Sequence, residues 1–292
     1  MIQFLQQLID GLSLGSIYAL IALGYTMVYG IIKLINFAHG DIYMLGAYIG
    51  FLVITNFNVG FVPALIIVMI LSSLAGVVIE RLAYKPLRQA TRIAALITAI
   101  GVSFLLQYVT IYFLGAGIRT YPPVLPNHLF SLGKVQISLQ QIVIFLISVV
   151  LMLLLQILVK KTKVGKAMRA VSLDADAARL MGIDVDRTIS YTFAIGSALA
   201  GAAGILVGLY YNTINPFMGT VPGLKAFIAA VFGGIGIIPG AMLGGFFIGV
   251  VETLVAGYGS SLYKDAVVYA ILILVLIIKP SGLLGKNQKE KV

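Results

Sequence analysis

Apolar residues fill most of the chain in long blocks, and short polar segments separate them. A helix needs about 20 apolar residues to cross the hydrocarbon core of a bilayer. Blocks of that length fall at roughly 8–32, 36–57, 60–79, 93–114, 139–159, 189–211 and 265–279. An eighth block, 224–256, is too long for one straight crossing and is interrupted by GGIGIIPG at 233–240. It predicts either one crossing plus a re-entrant half-helix or two short crossings. The apolar runs are continuous instead of alternating, which argues against a membrane barrel. The expected fold class is an all-α polytopic membrane protein with about eight transmembrane segments, one of them re-entrant or broken.

Composition agrees with that class. Of 292 residues, 60% are hydrophobic and only 10% are charged, against roughly 25% charged in a soluble domain. The 32 glycines suit helices that pack closely in a membrane. With no cysteine there is no disulfide, thiolate metal site or thiol nucleophile. With no tryptophan, tyrosine must supply any interfacial aromatic belt. No Lys or Arg precedes the first apolar stretch, which argues against a cleaved signal peptide.

The net charge of +10 does not indicate nucleic acid, because the basic residues sit in short loops between spans. One loop holds Arg81, Lys85, Arg88 and Arg92. A second holds Lys160, Lys161, Lys163, Lys166, Arg169, Arg179 and Arg187. The tail holds Lys279, Lys286, Lys289 and Lys291, and Lys33 marks the first reversal. Arg119, Lys134, Lys225 and Lys264 fall to the other side. This asymmetry predicts that the first group is cytoplasmic. The N-terminus is then outside, the C-terminus inside, and the number of full crossings odd. The chain reads as a single transmembrane domain, 1–292, with a cytoplasmic loop at 160–188. The longest external loop, about 115–138, is a structured turn region too small to be a domain.

Few residues carry candidate chemistry. The segment NFAHGD brings Asn36, His39 and Asp41 to the start of the second span. Ionisable groups at membrane depth are costly and usually face a cavity or a partner. His39 and Asp41 either form a proton relay, satisfy a broken helix end or pair with Lys33, and the bend with Asn36, His39 and Asp41 is a candidate for the translocation pathway. Glu252, inside the apolar run VVETLVA, either lines a pathway or pairs with a lysine near a span end. Gly196, Ala200, Gly204 and Gly208 recur four apart, as do Gly240 and Gly244, so each set shares one helical face. They serve either packing within the chain or an interface with a second membrane subunit. No phosphate-binding glycine loop, paired acidic site or metal-ligand spacing is present, so an enzyme is not expected.

The stretch 174–188, DADAARLMGIDVDRT, is charged, short and placed on the basic side. It predicts a small helix, a turn and a second arm that another protein can grip. Asp176-Ala177-Ala178-Arg179-Leu180-Met181-Gly182 resembles the E-A-A-x-x-x-G loop of ABC transporter permeases, with Asp in place of Glu. Residues 11–48, 94–107, 189–206 and 227–245 also resemble the branched-chain amino acid permeases of the LivH type.

That resemblance implies a permease subunit of a bacterial or archaeal importer, in the cytoplasmic (inner) membrane. The partners it implies are a second, LivM-type permease, two ATP-binding subunits, an extracytoplasmic solute-binding protein and the lipid bilayer. ATP and Mg would be bound by the partner subunits and no cofactor by this chain. Asp176, Ala177, Ala178 and Gly182 would form the coupling helix that docks on an ATPase. The implied substrates are leucine, isoleucine and valine, with urea, amides and other amino acids carried by related systems. The competing expectation is a proton-coupled secondary amino-acid transporter using His39, Asp41 and Glu252, but it leaves the 174–188 segment without a role.

Overall fold

The computed structural model describes residues 2–34, 36–88 and 90–285; Lys286, Lys289 and Lys291 lie outside them. Eleven helices are present among these residues. They are α1 (Ile2–Ile32), α2 (His39–Phe57), α3 (Phe61–Ile79), α4 (Arg92–Leu114), α5 (Leu139–Lys161), α6 (Lys163–Leu173), α7 (Ala175–Leu180), α8 (Val185–Tyr211), α9 (Thr220–Gly233), α10 (Ile238–Tyr258) and α11 (Lys264–Ile278). Helix α3 continues through a π-helical turn at Glu80–Tyr84. Seven helices are long and apolar enough to span a membrane. The block 224–256 is two helices, α9 and α10, broken where Gly234 and Gly236 take positive φ. The eight apolar blocks thus correspond to nine helices, of which α9 and α11 are short.

Contacts between distant segments sort the helix ends onto two faces. Strand β1 (Arg119–Thr120) pairs with β4 (Thr213–Ile214), just after α8. A hairpin of β2 (Leu129–Leu132) and β3 (Val135–Ser138) touches the start of α1, where Gln6 bonds the backbone of Gln136 in both directions. These ends share one face. On the other face Lys85 and Arg88, after α3, pair with Asp186 at the start of α8. Gly30, near the end of α1, lies against Gly236, and Leu283 bonds the end of α9. The start of α1 and the last described residues therefore lie on opposite faces.

Helix α1 is the centre of the bundle and is buried from Ile17 to Leu23 without interruption. Its neighbour α10 runs antiparallel to it at backbone contact distance. A side chain at Gly245 would strike Ala19, and one at Gly249 would strike Gly15. Helix α8 touches three others in the same way: Gly196 meets Gly24 of α1, Gly201 meets Ser72 of α3, and Gly204 meets the backbone of α2 at Tyr43 and Ala47. Small residues permit this approach, and close packing is what holds helices together in lipid.

Two helices begin inside the bundle. Lys33 ends α1 in the left-handed conformation, and α2 starts at His39, whose ring lies against Gly24. Gly24 sits about two turns before the end of α1, so α2 starts well below the surface. After α8 the chain turns back inward, and Gly219, at the start of α9, rests on Gly40. Such breaks persist at membrane depth only where protein or a cavity surrounds them.

The packing gives a direct expectation. At Gly249 a side chain meets backbone that has nothing to yield, so Gly249→Leu should destabilise by more than about 3 kcal/mol. At Gly101 a Cβ meets nothing within 4 Å, so Gly101→Leu should be neutral. Thermal unfolding of the two variants in detergent checks the contrast; equal midpoints would contradict it.

Candidate functional site

The charged segment after α6 is built by three local devices. The Asp174 carboxylate caps α7, accepting from the backbone N–H groups of Asp176 and Ala177 at 2.9 Å each. Gly182 takes φ +82, and the N–H groups of Gly182 and Ile183 donate to the carbonyls of Arg179 and Ala178, both at 3.0 Å. This pair of bonds closes the helix in a Schellman motif, which needs glycine at its left-handed position. Asp184 then caps α8. Ala178 faces inward and is buried, whereas Asp176 is exposed beside Arg179. Leu173, Leu180 and Met181 are each more than 80% exposed. The result is a rigid polar stub with an apolar tip.

Beneath the stub lies an ionic network. Arg88 bridges the fully buried Glu80 and Asp186, and Ser190 donates to the other oxygen of Glu80 at 2.7 Å. The Tyr84 hydroxyl donates to Asn36 at 2.6 Å, which ties the segment before α2 to the same turn. The start of α8, the end of α3 and the entry to α2 are thereby joined.

The second feature is a cavity of about 530 Å³ between α4 and α9. Helix α4 packs chiefly against α2. The apolar wall of the cavity includes Phe37, Leu96, Ile100, Phe104 and Phe217. Its polar groups are Asp41, Ser103, Gln107, Tyr25 and Thr220. Asp41 is buried, and Gln107 Nε2 donates to one of its oxygens at 2.8 Å.

A family profile described as the permease component of the branched-chain amino acid transport system matches residues 7–276. The chain belongs to this permease family. It is 46% identical to the high-affinity branched-chain amino acid transport permease LivH of Escherichia coli, over 99% of this chain and 98% of that one. It is 45% identical, with the same coverage, to BraD of Pseudomonas aeruginosa. The probable LivH of the archaeon Methanocaldococcus jannaschii is 30% identical over 94% of this chain. No solved structure matches.

In the permease the polar residues singled out by sequence are not one site. Asp41 lines the cavity. His39, two residues earlier, does not line it and packs edge-on against Tyr25 with ring centroids 4.8 Å apart. Asn36 is held by Tyr84. Glu252 is elsewhere, on α10, facing α1, α9 and α11. Its Oε2 accepts from the Tyr18 hydroxyl at 2.8 Å, and its Oε1 lies 2.7 Å from Lys225 Nζ and 3.3 Å from Lys264 Nζ. Lys225 also lies 2.6 Å from Asp265. Lys225 is thus not a residue of the external loops, to which the distribution of basic residues assigned it. It is buried inside α9, facing a carboxylate from the next helix. The small residues Gly196, Ala200, Gly204, Gly208, Gly240 and Gly244 are all buried within this chain.

Sequence reasoning passed over Glu80, Ser103, Gln107 and Tyr18; it offered Glu252 a lysine near a span end as partner, without naming Lys225 or Lys264. The one available signal was the pair of lone, opposite charges in successive apolar stretches, Lys225 and Glu252, which membrane burial forces to meet. This cluster reads as a structural lock. Lys225→Met should cost about 3 kcal/mol, because it strips a buried carboxylate of its nearest cation. Adding Glu252→Leu should recover most of that loss. Thermal midpoints of the single and double variants measure it; additive losses would show that the two groups do not interact.

Proposed function

We propose that this permease is one of two different membrane subunits of an ATP-driven importer of leucine, isoleucine and valine, and forms half of its pathway. The reading is supported by family membership and by the names of its relatives, which are branched-chain amino acid transport permeases. The observation that carries the energetic part is α7. It is a capped helix closed by Gly182, with Leu180 and Met181 bared at the face where the basic residues gather. An apolar tip on a rigid polar stub suits insertion into a cleft of a separate ATPase, and the chain has no phosphate-binding loop of its own. The remaining partners are a second permease and an extracytoplasmic binding protein that delivers substrate. ATP and Mg belong to the ATPase subunits.

The basic face is cytoplasmic in this reading, which puts the N-terminus outside and the C-terminus inside the cell, in the cytoplasmic membrane. Reporter fusions at residue 170 and at the C-terminus should report cytoplasm, and a fusion near residue 125 the outer side. A cytoplasmic signal at 125 would overturn the orientation.

Coupling is tested at Gly182. A β-branched residue cannot take φ +82 without strain of about 1–2 kcal/mol, and Cβ space is otherwise open there. Gly182→Val should leave membrane insertion intact and lower ATP-driven leucine uptake at least tenfold, with weaker recovery of the ATPase subunits on purification. Uptake at the parent rate would remove α7 from the coupling path. Accumulation of leucine by this chain alone under an imposed pH gradient would replace the importer with a proton-coupled transporter.

A further inference from the structure

The two deep carboxylates differ in one respect that assigns them different work. Glu252 has Lys225 and Lys264 within ion-pair distance. Asp41 is equally buried, yet among the described residues no basic side chain lies within ion-pair distance of it. Its partner is the neutral amide of Gln107. A buried carboxylate without a counter-charge is costly to keep ionised, and a cation arriving in the cavity offsets that cost. The cavity falls within the volume range of small-molecule sites, about 300–1,000 Å³.

The rest of the cavity fits the remaining parts of one kind of ligand. Phe37, Leu96, Ile100, Phe104 and Phe217 offer an apolar wall. The start of α9 lines the cavity through Gly219, Thr220 and Gly223, and no side chain caps it. The Thr220 N–H is given to the Phe217 carbonyl and Pro222 has none, so the N–H groups of Gly219 and Val221 are left there to attract an anion. Ammonium, carboxylate and apolar side chain are the three parts of a zwitterionic apolar amino acid. We propose that the α4–α9 cavity is a transit site for such a molecule inside the membrane, with Asp41 holding its ammonium group and the α9 start facing its carboxylate. The assignment rests on the importer reading and adds to it the group that recognises the substrate within this chain.

The test uses the complete complex of both permeases and both ATPases, without ATP or binding protein. This chain has no cysteine, so Thr220→Cys places a single thiol on it, at the cavity wall. Its alkylation by N-ethylmaleimide is followed by mass spectrometry. Millimolar L-leucine should slow alkylation at least fivefold. Isopentylamine, which keeps the ammonium and side chain, should slow it in part. Isocaproate, which lacks the ammonium, should have no effect. Asp41→Asn should abolish protection by leucine, and Asp41→Glu should keep some of it. Asp10→Asn, at the opposite face beside Gln6 and Gln141, should change nothing. Undiminished protection when Asp41→Asn is added, or absence of protection in the Thr220→Cys complex itself, would overturn the proposal. If Asp41→Asn does not assemble, equal protection by leucine and isocaproate overturns it and a clear preference for leucine supports it. ATP-driven uptake by the parent complex is measured separately: its failure defeats the importer reading and leaves the alkylation result standing on its own.

Discussion

Backbone-to-backbone contact around α1 is the constraint on which the rest of the permease depends. Lipid offers no hydrophobic drive for one helix to leave it for another, so association relies on close packing. Glycine at 15, 24, 245 and 249 lets α10 and α8 reach α1 with no side chain between them. Once that core is set, α2 and α9 need not span the membrane as unbroken rods. Their deep starts are sheltered by helices already in place, and Gly40 and Gly219 meet where each start would otherwise face lipid.

The same core separates two kinds of buried charge. Around Glu252 the charges close on one another across α9, α10 and α11, and the cluster behaves as a clasp. Around Asp41 they do not close. That asymmetry is hard to explain as packing, because a fold that can place Lys225 opposite one carboxylate had the means to neutralise the other. It is natural if a bound molecule brings the missing charge and leaves again.

Much of the fold was legible in the chain. Runs of apolar residues located the long helices, because hydropathy is a local property, although α1 starts six residues and α8 four residues before its apolar block. The break at 233–240 was legible as a break, since Gly234 and Gly236 do adopt the left-handed backbone that glycine invites. The depth at which α2 and α9 begin was not legible. It is decided by Gly40 meeting Gly219, far apart in sequence, and no local pattern records such a meeting. The site was legible in the same uneven way. Asp41 stood out as an acid among apolar neighbours, but only geometry separates it from His39, which faces the packed core, and from Glu252, which is compensated. In the 174–188 segment the turn at Gly182 could be read directly, whereas the residue that caps α7 is Asp174 and not the Asp176 of the motif.

The network at the base of α8 has a mechanical consequence. A helix resists compression along its axis, and α8 is in backbone contact with α1, α2 and α3, so it has no slack to absorb a push. Arg88 fastens its first turn to Glu80, and α7 joins it through a turn of a few residues. Under the proposed coupling role, a shift imposed on α7 would pass into α8. It would arrive at Gly196 and Gly204, the points where α8 bears on Gly24 and on the helix that carries Asp41. One stiff rod thus links the stub to the helix that carries the carboxylate.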